Sequence, residues 1–155
     1  MAQGYSQSVS KQISANELGI TGSHQAGIVV PKSGASRILE FFPPLDPKIF
    51  NPSCIVTVKD SDTGEYWDLR FVHYNNKIHG RGTRNEYRLT GMTKMFRDMG
   101  TSPGDHVVFT RTSEGDVLIT TVHDGDVHSS TTNVTSRAVR GGWTMIDDGE
   151  AAKWH

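Results

Sequence analysis

The residue types most able to do chemistry are concentrated in one run, Arg81-Gly-Thr-Arg-Asn-Glu-Tyr-Arg88. In extended backbone successive side chains point to opposite sides, so Arg84, Glu86 and Arg88 would share one face while Asn85 and Tyr87 share the other. Residues two apart are separated by about 6.6 Å, from a rise of about 3.3 Å per residue. Arginine's planar fork matches the two acceptors that guanine shows in the major groove, and a carboxylate matches the amino donor of cytosine. A donor, acceptor, donor face of this spacing therefore suits G and C edges about two base pairs apart. Asn85 is of the type that pairs bidentately with adenine or bonds a phosphate. Gly80 and Gly82, beside the motif, allow close backbone approach. The same face also fits a salt-bridge ladder on an edge strand, where charge discourages aggregation. Spacing alone leaves both readings open.

A second polar run, Thr21-Gly-Ser-His-Gln25, precedes an apolar stretch, and His24 and Gln25 can each bond base edges or phosphates. Nuclease chemistry of the restriction type would need a carboxylate followed by Glu-x-Lys to hold magnesium and position water. Glu65-Tyr-Trp67 and Glu86-Tyr-Arg88 lack the lysine, and Glu150-Ala-Ala-Lys153 has the wrong spacing. His73 with His79, and His123 with His128, offer pairs without an evident third ligand. No catalytic residue, metal or cofactor is expected. Exposed aromatics such as Tyr66, Tyr74 and Tyr87 would instead serve stacking on single-stranded nucleic acid.

The charge distribution favours a polyanion as partner. Net charge over the 155 residues is −1, yet between Arg70 and Arg97 seven basic residues face one acid, Glu86. That stretch carries +6 while the other 127 residues sum to −7. The length suits one domain. One cysteine, Cys54, cannot form an internal disulfide, which fits a reducing cytoplasm. No apolar run approaches a membrane span, and the first 14 residues lack signal-peptide order, so a soluble protein is expected.

The elements that must position these runs are mostly strands. Residues 1–14 are polar and Ser/Gln-rich and read as a flexible arm, and residues 27–31 read as a short buried strand closed by Pro31. A short helix fits Ser36 to Phe42, ended by Pro43-Pro44. Cys54 to Asp60 and Tyr66 to Val72 form one expected hairpin, His106 to Thr112 and Val117 to Val122 another. Between them Met92, Met95, Phe96 and Met99 fall at helical spacing, with Gly100 placed for a left-handed cap. Residues 123–155 read as a linker-like tail with one last strand at 138–146. The sum is a mainly β domain over 15–122, closed as a barrel or half-barrel.

The order Ile55-Val-Thr-Val-Lys-Asp60, Gly64-Glu-Tyr-Trp67, Tyr87-Arg-Leu-Thr-Gly91, Phe96 and Pro103-Gly-Asp-His-Val-Val-Phe109 resembles the B3 DNA-binding pseudobarrel. More narrowly, Ser14-Ala-Asn16, Thr21-Gly-Ser-His-Gln25, Gly27, Pro31, Asn51-Pro-Ser53, Tyr74-Asn75, Thr83-Arg-Asn-Glu86 and Arg88 resemble the N-terminal effector domains of EcoRII-type restriction endonucleases, from about 14 to 122. The resemblance implies a seven-stranded pseudobarrel with two short helices. It also implies an N-arm (about 16 to 29) and a C-arm (about 81 to 90) that grip duplex DNA through the major groove. By position, His24, Arg84, Glu86 and Arg88 would read a short G/C-rich site, CCWGG in EcoRII relatives. Thr21, Ser23, Gln25, Arg81, Thr83, Asn85 and Tyr87 would complete the DNA contact, and Lys32, Asn75 and Lys77 would meet phosphates. The sequence departs from the family pattern at Val29, Gly82 and Tyr87. The implied partners are double-stranded DNA and a covalently linked C-terminal nuclease domain outside this chain. The isolated domain would be a monomer without chemistry of its own.

Overall fold

In the computed structural model the described residues are 7–19, 27–32, 37–123, 135–138 and 142–147. They form a single nine-stranded sheet. In chain order its strands are β1 (Gln7–Gln12), β2 (Ile28–Val30), β3 (Ser53–Asp60), β4 (Tyr66–Tyr74), β5 (Glu86–Thr90), β6 (His106–Arg111), β7 (Val117–Val122), β8 (Thr135–Ala138) and β9 (Trp143–Asp147). Helix α1 (Ala15–Leu18) and helix α2 (Thr93–Met99) are short, and a 3-10 turn covers Leu39–Phe41.

The sheet order is β2-β5-β4-β3-β7-β6-β1-β9-β8. Two antiparallel groups meet at a parallel seam, where Lys59 and Asp60 of β3 align with Leu118 and Ile119 of β7. The sheet curls around one core, and a side chain of β9, next to one edge, reaches the opposite edge strand β2. Trp143, on β9, is buried and donates its Nε1–H to the carbonyl of Val29 on β2 at 2.9 Å. Phe42 fills the middle: it stacks on Phe71 at 5.1 Å and meets Phe109 and Trp143 edge to face at 6.1 Å each. Aromatic contacts of this geometry add to the area they bury.

The mainly β half-barrel agrees with the expected fold, with nine strands in place of seven. Both hairpins form, and α2 buries Met95 and Phe96 and ends on Gly100 at φ 71°. Three segments differ from expectation. Gln7–Gln12, read as part of a flexible arm, is an inner strand paired with β6 and β9. Its polar side chains find partners: Ser8 Oγ meets Thr110 Oγ1 at 2.9 Å, and buried Lys11 pairs with Glu17 at 2.9 Å. The helix expected from Ser36 tightens, within the described residues, to the 3-10 turn before Pro43. The tail supplies two strands, β8 and β9, rather than one.

Candidate functional site

The charged run enters β5 at Glu86. That strand lies between β2 and β4, and the edge strand on this side is β2. The strand is thus an inner one from Tyr87 to Leu89, yet the ion pairs that a ladder would have are present, since Glu86 pairs with both Arg84 and Arg88. Register sets Arg88 between Val29 of β2 and Val72 of β4, and Glu86 beside Tyr74. The neighbouring row, Ile28, Leu89 and Phe71, belongs to the core. Because side chains alternate across a strand, Arg88 and Glu86 face away from that core. Val29, next to Arg88, is 42% exposed.

On this outer face Oε2 of Glu86 accepts from Arg88 Nε at 2.7 Å and from Arg84 Nη2 and Nε at 3.1 and 3.3 Å. Oε1 has no hydrogen-bond partner among the described residues. The Arg84 guanidinium lies 3.8 Å from the ring centre of Tyr74, a cation–π stack that holds it flat. Side-chain exposure falls from 46% at Arg84 to 12% at Arg88, so Arg84 is the presented tip and Arg88 the held one. Partial burial pushes the Glu86 carboxyl up. The hydrogen bonds and charges of Arg88, then Arg84, outweigh this and hold it below the usual carboxylate range.

The other face of the run points inward, and it holds Asn85 and Tyr87. Asn85 Oδ1 lies 3.1 Å from His73 Nε2. Tyr87 lies parallel to His73 at 4.0 Å and to Phe71 at 5.7 Å, and burial pushes its hydroxyl pKa up. Tyr87, expected among the DNA contacts, thus has its ring stacked on β4, which removes that ring from the outer face. Lys32, just past β2, donates to the Asn85 carbonyl at 2.6 Å, so its ammonium braces the run.

The loop before the run is built on a clamp. Asn75 is fully buried: its Oδ1 accepts from the Asn51 amide at 2.8 Å, and its amide donates to Asn51 Oδ1 at 3.0 Å. Its Nδ2 donates to the Ile49 carbonyl at 2.8 Å. Asn75 was expected at a phosphate, and that expectation is corrected, because every polar atom of its side chain serves loop 47–51. Arg81 stacks over Phe50 at 4.5 Å, and His79 lies edge-on to the same ring and donates to the Pro47 carbonyl. Lys77, Arg81 and Thr83 are exposed, and the Lys77 amide donates to the Arg84 carbonyl at 2.9 Å. The structure therefore brings Lys32, Lys77, Arg81, Thr83, Arg84, Glu86 and Arg88 together around one ribbon.

Thr21, Ser23, His24 and Gln25 lie outside the described residues. The ends of their segment are fixed, since the Gly27 amide donates to the Glu17 carbonyl at 3.3 Å and β2 then pairs with β5. Sequence reasoning did not single out Phe50, His73 or Tyr74 as supports of the ribbon. Their roles depend on strand register and on the loop crossing, although Tyr74, Asn75 and Asn51 stood in the runs that carried the family resemblance. Of the histidine pairs, His73 bonds Asn85, His79 bonds Pro47 and His123 bonds Asp105 at 2.9 Å; His128 lies outside the described residues. Among the described residues no three His, Cys, Asp or Glu side chains come together as a metal site requires. None of their helices is long and apolar enough to cross a membrane.

Comparison with known proteins gives three findings. Residues 5–137 match the family model described as restriction endonuclease EcoRII, N-terminal. The type II restriction enzyme EcoRII of Escherichia coli is 35% identical over 83 residues, 52% of this chain and 19% of that enzyme, so the match spans about a fifth of the relative's length. A crystal structure of the UbaLAI restriction endonuclease B3 domain with cognate DNA superposes with a TM-score of 0.60 at 15% identity, covering 94% of this chain and 87% of that one. At that identity the likeness is one of fold.

Proposed function

The chain belongs to the family of EcoRII N-terminal domains, and from that membership we propose that it binds double-stranded DNA sequence-specifically through the major groove, as the recognition and effector domain of a type II restriction endonuclease. The observation that carries the proposal is the outer row made by Arg84, just before β5, with Glu86 and Arg88 on it. Arg84, Glu86 and Arg88 stand as donor, acceptor and donor on one face, and Tyr74 and the β2–β5–β4 pairing hold that row in shape. Guanine N7 and O6 take the arginine forks, while cytosine N4 donates to Glu86, whose Oε1 is open for it. A G/C-rich site such as CCWGG fits this order. The solved B3 domain with cognate DNA, of the same fold, supports the same use of the barrel.

Lys77, Arg81 and Thr83 supply backbone contacts beside the ribbon, and the segment of Thr21, Ser23, His24 and Gln25 supplies the second arm. Cleavage falls to a covalently linked nuclease domain, and the isolated domain is a cytoplasmic monomer. Single-stranded binding by stacked aromatics has less support. Tyr74 is covered by Arg84 and Tyr87 is stacked on His73, and Tyr66, though exposed, has the Lys59 ammonium 5.8 Å from its ring centre.

The test starts from a site selected on random duplexes. Arg84→Ala and Arg88→Ala should each weaken that site by about 1 to 3 kcal/mol, with a smaller loss on scrambled duplex. Equal losses on both would make these arginines phosphate contacts and remove the case for base readout.

A further inference from the structure

His73 is a titratable side chain that the binding face does not use. It sits on β4 with 3% of its surface exposed, directly across from Tyr87 in register. Its Nε2 lies 3.1 Å from Asn85 Oδ1 and its ring stacks on Tyr87 at 4.0 Å. Its Nδ1 is buried with no hydrogen-bond partner among the described residues. A buried polar atom left unpaired costs stability, and an apolar ring at this position would avoid that cost.

We infer that His73 is a positioning residue for recognition: by holding Asn85 and Tyr87 inward, its imidazole fixes which atoms of the ribbon face the duplex. The inference rests on the reading of the chain as a duplex-DNA reader. Side chains alternate within β5, and Arg84 and Asn85 precede that strand, where no pairing sets their direction; holding Asn85 and Tyr87 inward therefore keeps Arg84, Glu86 and Arg88 on the outer side. The bond to Asn85 has a second consequence. Oδ1 can only accept, so Nε2 carries the proton and the amide oxygen is turned inward.

Two near-isosteric substitutions separate this role from simple packing. The side-chain amide of Gln can replace the Nε2–H of His, whereas that of Asn is too short and corresponds to Nδ1. Affinities for the selected cognate duplex and for a scrambled duplex of equal length are measured for the wild type, His73→Gln and His73→Asn. The cognate preference of His73→Asn should fall by about tenfold, the size of losing one good base contact, with scrambled affinity unchanged. His73→Gln should keep most of the preference. A preference in His73→Asn equal to that of the wild type, or an equal loss in both variants, overturns the inference. If the variants fail to fold, nitrogen NMR of wild-type His73 decides: protonation on Nε2 supports the inference, and protonation on Nδ1 alone overturns it. Should the wild type bind both duplexes equally, the function reading itself falls. Discrimination by the wild type and by His73→Asn alike would sink only the role given to His73.

Discussion

Glu86 is the residue on which the ribbon turns. One carboxylate oxygen receives both arginines, so the free protein holds the two guanidiniums in a shared ion pair of net charge +1 rather than as loose cations. The arginines hold the Glu86 carboxyl below the usual carboxylate range. A depressed pKa means that the pairing contributes stability at pH values above the unfolded pKa and loses it as pH falls through the folded one. The triad should therefore stay intact down through the pH range where ordinary glutamates protonate. A carboxyl carbon titration of Glu86 should show a midpoint below that of an exposed glutamate, and Arg88→Ala should move it upward. A midpoint at or above the ordinary value would mean that the arginines do not hold the carboxylate. Much of this site was legible as sequence, because period-two alternation separates Arg84, Glu86 and Arg88 from Asn85 and Tyr87 wherever the chain is extended. What alternation does not give is the partner across the strand. The inward pair finds His73 only through the β4–β5 register, and a lone histidine in an aromatic-rich strand carries no mark of that role.

At the scale of elements, the loop before β3 and the loop after β4 matter as much as the strands. Loop 47–51 and the turn after Asn75 are joined by the reciprocal Asn51–Asn75 bonds, with Asn51 held at φ 48°. Asparagine tolerates that left-handed conformation better than most residues. Asn75→Ala would leave the Asn51 amide and the Ile49 carbonyl without partners. It should cost about 1 to 3 kcal/mol in urea denaturation and loosen the platform under Arg81. A variant as stable as the wild type would show that the clamp is idle. The hairpins and α2 were readable because their apolar residues repeat at periods of two and of three to four. β1 was not readable. Gln-Ser-Val-Ser-Lys-Gln buries one apolar residue, Val9, and gains its place from pairing on both sides and from polar partners far along the chain. Helix α1 did carry a local sign: Ser14 and Glu17 form a capping box three residues apart, with the Glu17 amide bonded to Ser14 Oγ and the Ser14 amide to Glu17 Oε1.

Across the whole molecule, a curled sheet in which Trp143 of β9 bonds to the edge strand β2 carries one strongly basic stretch on an otherwise acidic chain. This asymmetry gives the domain a preferred side toward a polyanion at little net charge. With about six phosphates neutralised, the logarithm of the association constant should fall against the logarithm of salt concentration with a slope near −5. A flat dependence would mean that the basic residues are satisfied within the protein. The most direct test of the account is methylation interference at guanine N7 on the selected duplex, because that atom lies in the major groove where an arginine fork would bond it. Methylation of the guanines within the site should abolish binding by the wild-type domain while methylation outside it has no effect. Binding that tolerates N7-methylguanine throughout the site would contradict recognition by Arg84 and Arg88.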